Sequence, residues 1–211
     1  MSAGFYMKAK LYYVYDPMCS WCWGYAPIWK RLAEELSNLV DIQYCLGGLA
    51  EDTEQIMTDE MQQFLQQTWR KISQQLGTKF NFDFWQVCQP RRSTYPACRA
   101  ALIARQHNKE AEMLTAIQHA YYLQARNPSN SDVLSEIAAD IGLNVSHFIE
   151  ELTSEKLQRQ LVDEVDMART LPIRGFPSLV LFHNNQYLAI AIDYKNWRSS
   201  FDSIIDKIEL N

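Results

Sequence analysis

Hydrophobic and polar residues follow two different periods along the chain, and the change of period divides it into three blocks. The first block opens with the β-rich run KLYYVY at residues 10–15, which Asp16 and Pro17 end. Apolar residues then recur every three or four positions over 27–39, and a second apolar run follows at 42–46. Strand, helix and strand in this order predict a parallel strand pair with a right-handed crossover.

The middle block is charged, rich in Gln and Ala, and poor in runs of β-branched residues. Apolar residues in it recur at helical spacing, and glycine or proline interrupts the pattern at several points. The predicted helices cover residues 59–76, 95–108, 109–125, 131–141, 146–152 and 154–170. The block is therefore predicted to be entirely helical.

Extended structure returns after Pro177. Apolar runs at 178–182 and 187–192 flank a polar turn that contains two asparagines, a pattern typical of an antiparallel hairpin. Apolar residues at helical spacing over 197–210 predict a closing helix.

These elements predict an α/β fold with a large all-helical insertion. With 211 residues, of which 47% are hydrophobic, the chain can bury a substantial core in one compact unit. One predicted domain is formed by residues 1–52 and 168–211, and the inserted helical domain by 53–167.

Charge and hydropathy exclude several classes of protein. A net charge of -5 argues against an electrostatic nucleic-acid binder, which needs a basic face. No apolar stretch reaches the roughly 18 residues of a membrane span, and the amino terminus has no apolar segment typical of a secretory signal. We therefore expect no nucleic acid, no membrane contact and a cytoplasmic location. In that reducing compartment, two close cysteines are more often catalytic or metal-binding than structural.

The candidate chemistry lies in the motif Cys19-Ser20-Trp21-Cys22, where the first strand gives way to a helix. Unpaired backbone N–H groups and the helix dipole at that point favour a thiolate. A CxxC thiol so placed titrates roughly 1 to 5 units below the free value of about 8.5. We predict that Cys19 attacks a substrate disulfide and that Cys22 resolves the mixed disulfide.

A structural zinc site is the rival interpretation of this motif. Such a site usually takes four nitrogen or sulfur ligands in two close pairs. The chain has no second CxxC, its four histidines show no ligand pairing, and Cys45, Cys88 and Cys98 are irregularly spaced. We therefore expect no bound metal, although a zinc-stabilised binding module stays open as an alternative.

A second motif, RGFPS at residues 174–178, precedes the third predicted strand. A proline that opens a strand donates no ladder hydrogen bond. A cis bond before Pro177 would leave the backbone of Phe176 free to pair with an extended substrate beside the cysteines. An ordinary strand-entry proline is the alternative, since only about 5–6% of X-Pro bonds are cis. Trp21, Phe176 and Pro177 are the predicted substrate-binding residues.

The order of CxxC, helix, strand, helical insertion, Gly-Phe-Pro, hairpin and terminal helix resembles the DsbA-like branch of the thioredoxin superfamily. Within it, the cytoplasmic FrnE-like members are most similar. The resemblance covers essentially the whole chain, and Cys19, Cys22 and Pro177 match the catalytic pair and the cis-proline. It implies a thioredoxin-like protein disulfide oxidoreductase that acts on protein or small-molecule thiols and disulfides. No cofactor is implied beyond the redox-active cysteine pair, with glutathione as a candidate co-substrate.

The chain also departs from that branch. Ser20 stands where many relatives carry proline, so their redox potential does not carry over. We expect no signal peptide like that of periplasmic DsbA, so the oxidase role of that protein does not carry over either. Kappa-class glutathione transferases and chromene-carboxylate isomerases share the architecture, but their nucleophile is typically a lone serine. A glutathione-dependent transferase or isomerase is the alternative function.

Other residues near the motifs carry weaker expectations. Asp16 either relays protons to the resolving thiol or acts as a favourable charge at the turn. Cys98 is either an extra redox partner or a buried structural thiol. Four aromatic residues around the CxxC motif are candidates for an apolar substrate surface: Trp21, Trp23, Tyr25 and Trp29. Of these, we expect Trp21 to be exposed and Trp29 to lie in the core instead.

Overall fold

A computed structural model describes residues 8–209, and its first elements form the predicted strand–helix–strand unit. Strand β1 spans Lys10–Tyr15, helix α1 spans Ser20–Leu36 and strand β2 spans Asp41–Leu46. The two strands pair in parallel, which confirms the prediction. Helix α1 begins at the CxxC motif, as expected, and seven residues before the apolar period that starts at 27. Its first turns bury small and aromatic residues that apolar spacing alone does not single out.

Seven helices follow β2. Six of them match predicted helices to within a few residues at each end. Helices α4 and α5 are shorter than predicted, since Asn108 and Ala125 adopt left-handed conformations with φ of 57° and 53°. The single turn α3 was missed because four residues show no helical period. The helices are α2 Asp59–Leu76, α3 Phe84–Val87, α4 Tyr95–Gln106, α5 Glu110–Tyr122, α6 Ser131–Asp140, α7 Val145–Leu152 and α8 Glu155–Thr170.

The chain ends with strands β3 (Ser178–His183) and β4 (Gln186–Ile190), followed by helix α9 (Trp197–Glu209). The predicted hairpin is confirmed, and its turn residues Asn184 and Asn185 both have the positive φ that a type I′ turn requires. The sheet order is β2-β1-β3-β4, with β3 antiparallel to β1. The last residue of the predicted closing helix, Leu210, lies outside the described residues.

Alternate residues of β1 face opposite sides of the sheet. Tyr13 and Tyr15 join the main core with α1 and the inserted helices, whereas Val14 packs with Val180 and Leu171 on the other face. The predicted α/β fold with a helical insertion is confirmed, while its division into two domains stays a prediction. Within residues 8–209, no helix is both long and apolar enough to cross a membrane.

A partly buried ion network fastens the helical insertion to the edge strand β2. Arg105 on α4 donates to Glu110 on α5 and to Glu164 on α8, each at 2.6 Å. The network also reaches the strand itself, because Glu164 accepts from the Leu46 N–H at 2.7 Å and Arg105 donates to the Tyr44 carbonyl at 3.2 Å. Polar groups on a free strand edge need partners. The insertion supplies them here.

We expect Glu164→Ala to lower the free energy of unfolding by about 2 to 4 kcal/mol, because it leaves Arg105 and the Leu46 N–H short of a partner. Urea denaturation measures this. The matched control is Glu155→Ala on the same helix, whose ion pair with Arg159 is exposed and should contribute less than about 1 kcal/mol. An equal decrease of the free energy of unfolding in the two variants would contradict the role given to the network.

Candidate active site

Cys19 lies at the amino-terminal end of α1, in the N-cap position. Its backbone is extended, with φ of -76° and ψ of 119°, and its side chain makes no capping hydrogen bond. The unpaired N–H groups of the first turn therefore give this end of α1 a positive field in which negative charge on a sulfur is stabilised. Cys19 is 7% exposed, whereas Cys22 is 0% exposed, so only Cys19 is open to solvent.

The two cysteines are free thiols that interact through a hydrogen bond. Burial raises the pKa of Cys22 well above its ordinary value, and the adjacent Cys19 sulfur raises it further. Cys22 therefore keeps its proton at neutral pH and donates it toward Cys19. The pair is chemically asymmetric: one sulfur is accessible and the other is a buried, protonated thiol.

The Gly-Phe-Pro motif lies against the Cys19 sulfur. The peptide bond between Phe176 and Pro177 is cis. The Cys19 thiol lies 3.6 Å from the Phe176 carbonyl oxygen, in position to donate a hydrogen bond. The Phe176 ring packs over Gly47, where a Cβ atom would come within 2.0 Å of it. The packing of its ring on Gly47 thus helps to hold the backbone of Phe176 at the site.

Asp16 is a completely buried carboxyl group in the loop before Cys19. It accepts hydrogen bonds from the Met18 N–H at 2.8 Å, the Leu49 N–H at 2.7 Å and the Thr94 hydroxyl at 2.7 Å. The Cys98 thiol donates to the same carboxyl group at 3.6 Å. Burial raises the pKa of Asp16, while these donors oppose the rise. One carboxyl group thus joins the CxxC loop, the segment after β2 and the start of α4.

The Asp16 carboxylate also acts on the nearby thiols. Its negative charge adds to the raised pKa of Cys22. Burial, followed by the charge of Asp16, raises the pKa of Cys98 well above its ordinary value. Cys98 is a completely buried free thiol, which fits the interpretation of a structural thiol better than that of an extra redox partner.

Two aromatic residues of the insertion hold the CxxC loop, and neither was predicted. The Trp69 indole on α2 donates to the Ser20 hydroxyl at 3.0 Å, and the Tyr122 hydroxyl on α5 donates to the Met18 carbonyl at 2.6 Å. They lie 49 and 104 positions from these partners. No local pattern marks contacts at such separations; the only signal was a high density of aromatic residues.

The aromatic residues around the CxxC motif differ in burial. Trp29 is in the core, as predicted, stacked on Tyr13 at 4.1 Å. Tyr25 was wrongly predicted at the substrate surface: it is completely buried, because it lies one turn beyond Cys22 on the inward face of α1. Trp21 was expected to be exposed but is half-buried. Its ring centroid lies 5.3 Å from that of Tyr194, in an edge-to-face arrangement.

A cavity of about 320 Å³ opens beside Cys19. Met18, Trp21, Leu49 and Phe176 of the α/β unit line it, together with Met57 and Phe64 of the insertion. A molecule in this cavity would reach the Cys19 sulfur. Within residues 8–209, no group of three or more His, Cys, Asp or Glu side chains is arranged to hold a metal ion.

Solved structures share this architecture. A candidate protein disulfide isomerase from Nitrosomonas europaea is 25% identical, with 95% of this chain and 97% of that chain covered and a TM-score of 0.82. The cytosolic disulfide reductase DsbM from Pseudomonas aeruginosa is 24% identical, with 94% and 99% covered and a TM-score of 0.75, and it has also been solved with GSH. A candidate DsbA oxidoreductase from Streptomyces coelicolor is 17% identical, with 94% and 89% covered and a TM-score of 0.69.

Curated relatives carry a different name. The ClpXP adapter protein SpxH of Halalkalibacterium halodurans is 25% identical over 182 residues, which are 83% of this chain and 59% of that protein. The SpxH of Bacillus subtilis is 23% identical over 191 residues, 88% of this chain and 63% of that protein. This chain thus spans less than two thirds of the length of these relatives.

A family model described as thioredoxin matches residues 12–195. The match covers most of the chain, and the fold agrees with the DsbA-like structures. The chain therefore belongs to the thioredoxin family and has the DsbA-like form of its fold.

Proposed function

We propose that the chain is a thiol-disulfide oxidoreductase with Cys19 as the nucleophile and Cys22 as the resolving thiol. The observation that carries the proposal is the asymmetry of the pair: Cys19 borders a cavity at a helix amino terminus, and Cys22 lies behind it as a completely buried thiol. A substrate disulfide can reach Cys19 but not Cys22. Burial thus sets the order in which the two sulfurs react.

The reaction would proceed by two exchanges. The Cys19 thiolate attacks one sulfur of the substrate disulfide, forming a mixed disulfide while the other substrate sulfur leaves as a thiolate. Cys22 then loses its proton and attacks the Cys19 sulfur, which releases the second substrate thiolate and leaves a Cys19–Cys22 disulfide. The substrate is reduced and the chain oxidised. An external dithiol returns the pair to the reduced state, and oxidation of a substrate dithiol is the same sequence in reverse.

The residues around the pair have proposed roles in holding the substrate. The Phe176 carbonyl is 3.6 Å from the Cys19 sulfur, so a substrate chain attached to that sulfur would lie along Phe176 and Pro177. Trp21 borders the same cavity and would contact the groups that flank the substrate sulfur.

Asp16 is the proposed proton acceptor for the resolving step. Cys22 is completely buried, so solvent cannot readily take its proton. The Asp16 carboxyl group is equally buried, and its charge acts on Cys22. Because burial raises the pKa of Asp16, this carboxylate is a stronger base than an exposed one.

Glutathione-dependent transfer or isomerisation by a single nucleophile is less well supported. That chemistry needs no second thiol, whereas here Cys22 is hydrogen-bonded to Cys19. Glutathione itself remains a proposed co-substrate, supported by the DsbM neighbour solved with GSH. The name of that neighbour, a cytosolic disulfide reductase, also supports the proposed cytoplasmic location and the reducing direction.

A second candidate function is that of an adapter, which the names of the curated relatives state for those proteins. It would require a protein partner but no exchange of disulfides. A variant with both Cys19 and Cys22 replaced by Ser separates the two candidates, since it would retain partner binding and lose all redox activity.

Trapping of the mixed disulfide tests the proposed order of attack. After exposure to glutathione disulfide, we expect Cys22→Ser to accumulate one glutathione adduct on Cys19, because the resolving thiol is missing. Cys19→Ser should form none on Cys22, because that thiol is inaccessible; peptide mapping separates this position from Cys88, a free thiol that is partly exposed. Intact-mass spectrometry measures both, and Cys98→Ser, which removes another buried thiol, should behave as the wild type. An adduct on Cys22 of Cys19→Ser would refute the assignment.

For Asp16→Asn, the two possible roles of the carboxylate predict opposite changes. If Asp16 acted only through its charge, its removal would lower the pKa of Cys22 and speed the resolving step. Since we propose that Asp16 accepts the proton, we expect this step to slow by about 10²-fold. The rate should also keep rising with pH, whereas the wild-type rate levels off once Asp16 is ionised. Stopped-flow decay of a preformed mixed disulfide measures both, and a faster decay would contradict the proposal.

A further inference from the structure

The cavity beside Cys19 has an unusual lining for a chain of net charge -5. Its side chains are mainly apolar, and Phe64 at its rim is 59% exposed. Arg91 and Arg92 also line it, whereas no aspartate or glutamate does. An apolar cavity with positive charge alone favours a ligand that combines apolar groups with negative charge.

The two arginines differ in how strongly they are engaged. Arg91 is partly buried, donates to the Ser129 carbonyl at 2.9 Å and to the Asn130 side chain at 2.7 Å, and lies 3.8 Å from a Glu54 carboxylate oxygen. These contacts fix its guanidinium in place.

Arg92 is exposed, and the contact of its guanidinium is a sulfur, the Met61 thioether at 3.6 Å. In the part of the chain from residue 8 to 209, no carboxylate lies within ion-pair distance of it. Arg92 is therefore the cation that a ligand in the cavity can engage.

We propose that Arg92 pairs with a carboxylate of the substrate, and that the cavity takes small disulfides of a few residues' size that carry such a carboxylate. This deepens the proposed function and rests on it. A guanidinium offers two parallel donors that match the two oxygens of a carboxylate. The cavity volume of about 320 Å³ falls near the lower end of the range for small-molecule sites, so a small molecule fits it better than a folded protein segment.

The substrate would then be held at two points. Its carboxylate lies at Arg92, its apolar atoms contact Phe64 and Leu49, and its disulfide is presented to Cys19. The substrate disulfide is the oxidant and the Cys19–Cys22 dithiol the reductant, so two thiolates leave for each protein disulfide formed. Arg92 takes no part in bond making and acts as a specificity-determining residue.

The test compares wild type and Arg92→Gln on two small disulfides, with dithiothreitol as the external dithiol. Glutathione disulfide carries carboxylates, whereas bis(2-hydroxyethyl) disulfide carries none. We expect Arg92→Gln to lower kcat/KM for glutathione disulfide by about 10-fold or more, the size of a hydrogen bond to a charged group. For bis(2-hydroxyethyl) disulfide, kcat/KM of the variant should stay within about 2-fold of the wild-type value, since this molecule has no carboxylate to pair with Arg92. Arg159→Gln, an exposed arginine on α8 outside the cavity, is the matched control and should leave both values unchanged.

Several outcomes would overturn the inference. Equal losses on the two small disulfides would show that Arg92 supports the fold of the site instead of recognising the substrate. A loss on the disulfides of insulin as large as that on glutathione disulfide would assign the contact to protein substrates. Wild-type protein that reduces insulin but turns over neither small disulfide would overturn only the inference, as would turnover of the neutral small disulfide without that of glutathione disulfide. Wild-type protein that reduces none of the three disulfides would overturn the proposed function and this inference with it.

Discussion

The buried carboxyl group of Asp16 is the contact on which the arrangement of the active site depends. Burying a carboxylate is costly unless hydrogen bonds replace its water. Here the replacements come from three separate parts of the chain: the CxxC loop at Met18, the segment after β2 at Leu49, and the start of α4 at Thr94. The Asp16 carboxylate therefore has its full set of hydrogen bonds only when all three segments are in place. The site can form only when the helical insertion is docked on the α/β unit.

The insertion contributes more than a cover for the sheet. Trp69 and Tyr122 hold the CxxC loop by hydrogen bonds from α2 and α5. Arg105 and Glu164 supply partners for the free edge of β2. Through these contacts, the helical block fixes the position of α1, and thereby the place where the positive end of its dipole meets the Cys19 sulfur. The chemistry resides in the α/β unit, but its geometry depends on the inserted helices.

Burial then gives the two cysteines different properties without any difference in residue type. Cys19 borders the cavity, while Cys22 is sealed behind it with a raised pKa and a hydrogen bond toward its neighbour. An accessible sulfur can meet a substrate, whereas a sealed thiol can react only with a disulfide already formed on Cys19. This arrangement suits a mixed disulfide that forms on Cys19 at the cavity and is resolved by the buried Cys22.

The sequence was most informative where structure follows a local period. Strand β1, helix α2 and the Asn184-Asn185 hairpin could be predicted because alternation, helical spacing and turn chemistry are all local. The CxxC and Gly-Phe-Pro motifs indicated which residues to examine, and the structure places them side by side. The contacts of Asp16 with Thr94 and Cys98 span 78 and 82 positions, and no periodic pattern encodes them. Tyr25 was misplaced for a related reason: spacing from Cys22 gives a helical face but does not show that Tyr13 and Tyr194 cover it.

The reduction potential of the Cys19–Cys22 pair tests whether the chain is a dithiol oxidoreductase. The protein would be equilibrated in graded glutathione buffers, alkylated, and its oxidised fraction read by mass spectrometry. We predict a reversible two-electron transition between about -120 and -270 mV, the range of known thioredoxin-fold catalysts, present in wild type and Cys98→Ser and absent from Cys19→Ser and Cys22→Ser. The absence of a reversible transition in wild type, or its persistence after Cys22 is replaced, would contradict the account.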